Sequence, residues 1–134
     1  QVDNAIQAYQ HVVSLNSNMV DPYLNLGGLY RQKEAYQEAA QAFEHVTRLD
    51  KNNAEAHVNL GVVYIALSKI DQAEKEYQTA LALNPQLAEG HYNLRLLYEF
   101  HRNAPQQALK YYEEYVRLGG QDERIQALLK RTKS

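Results

Sequence analysis

Asn25-Leu26-Gly27, Asn59-Leu60-Gly61 and Asn93-Leu94-Arg95 are three copies of one phrase, each beginning 34 residues after the last. A tyrosine follows each leucine by four positions, at Tyr30, Tyr64 and Tyr98. A fixed period of this length marks a stacked repeat architecture. It also directs the functional reading toward binding, because stacked repeats present an extended concave surface.

The central copy shows what each period contains. His57, Leu60, Gly61 and Tyr64 stand at i, i+3, i+4 and i+7, one face of a helix from Ala54 to about Ser68. Asp71-Gln72-Ala73-Glu74 reads as a capping box, an acidic N-cap answered by Glu three residues on. Ala73, Tyr77 and Ala80 line the second helix, and Asn84-Pro85 ends it, because the residue before proline avoids helical backbone. Each period therefore predicts two antiparallel helices. The preceding copy opens at Asp21-Pro22, with proline in the first turn where its missing N–H costs nothing. Its faces are Tyr23, Leu26, Gly27 and Tyr30, then Ala39, Phe43 and Val46. The third copy gives His91, Leu94, Arg95 and Tyr98, then Ala108, Tyr112 and Tyr115, with a turn one residue longer at about 101–105. Upstream, Ala5, Tyr9 and Val12 stand one period before Ala39, Phe43 and Val46 and mark half a repeat. Gly119-Gly120 should stop the last helix. Beyond it, Ile125, Leu128 and Leu129 give residues 122–131 one apolar stripe, as suits a terminal capping helix.

An aromatic or His, then Leu-Gly, Tyr, Ala, Phe or Tyr, and Ala, in a 34-residue helical pair, resembles the tetratricopeptide repeat (TPR) family. The resemblance covers nearly the whole chain. It implies an all-α fold, a right-handed superhelical solenoid of antiparallel helix pairs. As one domain the divisions are 1–19 (half repeat), 20–53, 54–87, 88–120 (divergent) and 121–134 (capping helix). Arg95 departs from the pattern by replacing the small residue where two helices approach closely, and Pro85 has no equivalent at Lys51.

Composition narrows the function. The formal charge of −2 gives no global attraction to nucleic acid or anionic lipid. The chain has no cysteine, hence no disulfide or thiolate metal site, which fits the cytoplasm and the periplasm equally. No apolar run approaches the roughly 18 residues of a membrane span. The chain begins at Gln1 with a repeat already under way, which reads as a piece of a longer protein. His57 and His91, like His11 and His45, stand one period apart, too far for zinc with its bonds of about 2 Å; each is expected to pack with a satisfied ring nitrogen, and no metal or cofactor is expected. Glu74 and Glu76 have surface spacing and read as solvated. The chain lacks a phosphate loop and a nucleophile motif, so no catalysis is expected. The basic tail of Arg124, Lys130, Arg131 and Lys133 reads as a soluble cap.

The resemblance implies that the first helices line the concave groove. Their outer faces carry Asp21, Leu24, Asn25, Gly28, Arg31 and Gln32, then Glu55, Val58, Asn59, Val62, Ile65 and Ala66, then Glu89, Tyr92, Asn93, Leu96, Glu99 and Phe100. Asn25, Asn59 and Asn93 would form a ladder. Neighbouring helices lie about 8–10 Å apart, roughly three extended residues. An amide offers both donor and acceptor, so the ladder suits the backbone of an extended peptide, as a similar one does in O-GlcNAc transferases; alternatively these amides bond within the array. Leu24, Val58, Val62, Ile65, Tyr92, Leu96 and Phe100 give an apolar strip, which serves either a partner or the packing between repeats. Asp21, Glu55, Glu89 and Glu99 form an acidic edge, read first as solvated residues placed for the helix dipole. The family's carboxylate clamp for chaperone tails is not expected, because Leu24 and Gly28 stand where Lys and Asn would be, and Val58 and Ile65 add no charge.

Three functions follow. The first is a non-catalytic interaction module that binds a partner protein or peptide in its groove. The second is a scaffold that self-associates through the half repeat. The third is the docking array of an enzyme whose catalytic domain lies outside this chain.

Overall fold

The computed structural model describes residues 1–122; the capping helix and basic tail expected after Asp122 lie outside them. The described residues form seven α-helices and no strand. The chain divides into two compact units, Gln1–Pro85 and Gln86–Ser134.

The first unit holds α1 (Val2–Leu15), α2 (Val20–Gln32), α3 (Tyr36–Leu49), α4 (Ala54–Ala66) and α5 (Ile70–Leu83). Helices α2 and α3 pack as one pair and α4 and α5 as the next; α1 packs on α2, and α3 also packs on α4. The small residue of the repeat decides how closely a pair can approach. A Cβ built on Gly27 would lie 2.4 Å from Cε1 of Phe43, and one on Gly61 would lie 2.5 Å from Cε1 of Tyr77. The aromatic ring of each second helix therefore rests on bare backbone of the first. Ala39, Phe43 and Val46 are buried, as are Ala73, Tyr77 and Ala80.

Each first helix has a further buried stripe beside the one facing its partner. Pro22 and Leu26 in α2, and Ala56, Leu60 and Val63 in α4, are buried at i, i+4 and i+7 spacing. These helices need two stripes because each packs between two second helices, α2 between α1 and α3, α4 between α3 and α5. At α1 the buried side chain is Ile6, which clusters with Leu26 and Ala42. Ala5 and Val12, expected by analogy with Ala39 and Val46, are half-buried. Among the described residues no first helix precedes α1 to cover them.

The turn inside each pair is closed by the recurring tyrosine's own carbonyl. Ala35 N–H donates to Tyr30 O, and Lys69 N–H to Tyr64 O, both at 2.8 Å. These are 6→1 bonds of the Schellman kind. They place Glu34 and Ser68 at φ 61° and 60°, the left-handed region. The helix resumes at once, and this corrects the capping-box expectation. Helix α5 starts at Ile70 after Lys69, whose side chain makes no cap bond. Asp71 is thus inside the first turn, where its charge meets the positive end of the helix. Among the described residues the side-chain cap that forms is Asn53, which accepts from Ala56 N–H at 3.0 Å and starts α4.

The second unit holds α6 (Ala88–Phe100) and α7 (Pro105–Arg117), packed as a pair. Its turn is one residue longer, as expected, and Ala104 N–H reaches Tyr98 O at 2.8 Å with Asn103 at φ 51°. Leu94, Arg95, Tyr98, Ala108 and Tyr112 are buried, and Tyr115 half-buried. Helix α7 stops at the glycines: Gly119 has φ +92°, and Gly120 N–H donates to Tyr115 O at 2.8 Å.

Candidate functional site

With two stripes of each first helix buried, the remaining face is narrow. In α2 it shows Asn25 exposed and Leu24 half-buried, and a Cβ on Gly28 would meet open space. In α4 seven of thirteen residues are buried. Asn59, Val62 and Ile65 remain half-buried there. Val58, expected in the groove, is 1% exposed. It is a core residue, since α4 is enclosed by second helices on both sides. In the second unit Tyr92, Asn93 and Leu96 of α6 are half-buried, and Phe100 is 63% exposed.

The amides of Asn25, Asn59 and Asn93 form no hydrogen bond with any described residue. An amide that held the repeats together would show such a bond. Around Asn93, Tyr92 is fixed by its neighbours: its ring centroid lies 5.0 Å from that of Tyr115. Arg95 fills the place of the repeat glycine and is buried. Its guanidinium carbon lies 5.3 Å from the Tyr112 ring centroid and 5.9 Å from that of Tyr92. Its Nε bonds Glu99 at 2.8 Å, and Asp122 stands 3.9 Å from Nη1. Glu99 is therefore committed within its own helix and is not a free member of the acidic edge. Asp21, Glu55 and Glu89 are exposed in the first turns of α2, α4 and α6, placed to meet the helix dipoles.

His57 and His45, each expected to pack with a satisfied ring nitrogen, do so. His57 is 9% exposed. Its Nδ1 meets Glu76 at 2.6 Å and its Nε2 meets the Lys51 carbonyl at 3.0 Å. Glu76, expected to be solvated, thus ties α5 to α4. His45 Nε2 bonds the Ser17 carbonyl at 2.9 Å. Among the described residues no three metal-ligating side chains converge, and no helix is long and apolar enough to cross a membrane.

Tyr64 crosses between repeats. Its hydroxyl donates to Glu44 of α3 at 2.8 Å. Burial, then the bond to that carboxylate, pushes the Tyr64 hydroxyl well above the ordinary tyrosine value. The sign follows from linkage. A folded value raised above the unfolded one gives stability that is full below about pH 10 and is lost as pH rises further. Urea midpoints should therefore fall above pH 10, and fall less steeply in Tyr64→Phe. Identical slopes for the two proteins would remove Tyr64 from the account.

Helix pairs of this length, repeated with this spacing and glycine-on-aromatic contact, define a tetratricopeptide array. Two tetratricopeptide repeat profiles match the sequence, one over residues 30–97 and one over residues 1–54. The chain belongs to the tetratricopeptide repeat family. Among solved structures it is similar to MamA: one crystal structure is 29% identical with a TM-score of 0.82, over 87% of this chain and 68% of that one. A second MamA crystal structure is 23% identical with a TM-score of 0.80, over 87% and 63%. MamA 41-end from Desulfovibrio magneticus RS-1 is 19% identical with a TM-score of 0.82, over 88% and 66%. The chain thus spans about two thirds of the solved chains it resembles. No curated protein matches it. Tetratricopeptide arrays are protein-interaction or scaffold modules, and this chain falls in that class.

Proposed function

We propose that the chain is a non-catalytic module that binds an extended segment of a partner protein along the open face of its first helices. Asn25, Asn59 and Asn93 hold the segment's backbone; Leu24, Val62, Ile65, Tyr92, Leu96 and Phe100 receive its apolar side chains. The observation that carries this reading is the three amides: they recur at one repeat position, they bond to no described residue, and half-buried apolar side chains flank them. A solvent-facing amide with no partner among the described residues, set beside apolar surface, favours a ligand that brings its own backbone donors and acceptors.

The test uses a peptide selected on the parent protein from a random display library. Its affinity should drop about tenfold or more in Asn59→Ala with Asn93→Ala, at about 1 kcal/mol for each lost hydrogen bond. The helix content should stay the same. Unchanged affinity would set the ladder aside.

A second reading, self-association, rests on Leu15 and Met19, which are 75% and 41% exposed at the α1 end. It predicts a mass that rises with concentration in light scattering and returns to monomer in Leu15→Ser with Met19→Ser. A constant monomer mass argues against it.

A further inference from the structure

We propose that the cleft between α1 and α3, floored by α2, is a second binding site that takes an acidic side chain of a partner. The cleft measures about 460 Å³ and lies on the side of the second helices, away from the asparagines.

The next repeat shows what belongs in such a place. There Glu44 accepts from Tyr64 at 2.8 Å, and Glu76 sits on His57 at 2.6 Å. Both carboxylates come from second helices, α3 and α5, and close the surface above α4. Counting one period back, Tyr64 becomes Tyr30, Glu44 becomes Gln10, His57 becomes Tyr23 and Glu76 becomes Ala42. Gln10 reproduces the first contact, donating from Nε2 to the Tyr30 hydroxyl at 2.7 Å. Ala42 reproduces nothing: it carries no carboxylate, and it lines the cleft.

The surroundings have changed to suit a carboxylate supplied from elsewhere. Tyr23 stands in the place of His57, its ring 4.0 Å from that of His45. Its hydroxyl bonds to no described residue. Arg48, at the last turn of α3 where the next repeat has Ala82, lines the same cleft. No carboxylate pairs with it among the described residues; its Nη2 lies 3.4 Å from His45 Nδ1. His45 is held in turn by the Ser17 carbonyl through Nε2, so Nδ1 accepts and aligns the guanidinium. One cation and one phenol thus border the space that a glutamate fills in the neighbouring repeat. Glu38 lies at the other end of the same α3 stripe and directs the acidic group toward Arg48 by like-charge repulsion.

The test is fluorescence anisotropy with a labelled peptide of alternating Glu and Ala, and its Gln-Ala counterpart as control. The acidic peptide should bind and the neutral one should not. Arg48→Gln, an exposed change that leaves the fold intact, should weaken binding about tenfold, the effect of one charge-assisted contact. Ala42→Glu supplies a carboxylate from the chain itself and, with helix content matched to the parent by circular dichroism, should abolish binding; because Ala42 is buried, Arg48→Gln at the exposed Arg48 is the deciding variant should Ala42→Glu fail to fold. Glu38→Gln should tighten it about twofold to threefold. Asn59→Ala should leave it unchanged, which separates this cleft from the first-helix face. Equal binding of both peptides, no binding of the acidic one at millimolar concentration, or parental affinity in Arg48→Gln would overturn the proposal.

Discussion

Phe43→Ala is expected to remove about 3–5 kcal/mol of stability, read as a shift of the urea midpoint at constant slope. The ring is 1% exposed, and it rests where a Cβ on Gly27 would stand, so truncation empties a space bordered by rigid backbone. Gly27 supplies the sharper half of the test. Alone, Gly27→Ala pushes a methyl to 2.4 Å from the ring and should destabilise by about 1–3 kcal/mol, less about 1 kcal/mol gained in helix propensity. In the Phe43→Ala background the clash is gone and only the propensity gain remains. The same substitution should then stabilise. A change of sign across the cycle requires coupling between the two sites. Additive effects would mean that glycine-on-aromatic contact does not set the spacing of this pair.

Phe100→Ala is expected to do the opposite: little to stability and much to binding. At 63% exposure the side chain gives the folded chain little, and its removal should change stability by about 0.5 kcal/mol at most. A large aromatic left in water on the same helix as Tyr92, Asn93 and Leu96 is a natural anchor for a partner. Anchors of this kind contribute about 2 kcal/mol or more, so affinity for the selected peptide should fall about thirtyfold. Leu109 provides the control. It is 56% exposed, but on the second helix α7, so Leu109→Ala should leave the affinity unchanged. If Leu109→Ala weakens binding and Phe100→Ala does not, the binding face has been placed on the wrong helices.

The 34-residue period made the helix pairs legible, because each copy confirms the others at Leu26, Leu60 and Leu94 and at their tyrosines. The glycine contacts were legible for the same reason. What escaped was whatever depends on a second neighbour. Val58 was assigned to the groove because one packing stripe had been allotted to α4, whereas a helix between two others needs two. Glu76 looked solvated because its partner, His57, lies 19 residues away on another helix. Helix α5 starts two residues before the point the Asp71 cap implies, because the 6→1 bond from Lys69 to Tyr64, not the Asp71 side chain, decides where that helix resumes. The open cleft at Ala42 was legible in principle: setting Ala42 against Glu76, one period apart, shows a missing carboxylate.

In the proposed function the asparagines of the first helices hold the partner. The direct measurement is recovery from a lysate of the source by the parent chain and by Asn25/Asn59/Asn93→Ala, with helix content matched by circular dichroism. A protein should be retained by the parent and lost by the variant. Equal recovery by both would contradict it and move the binding surface off this face.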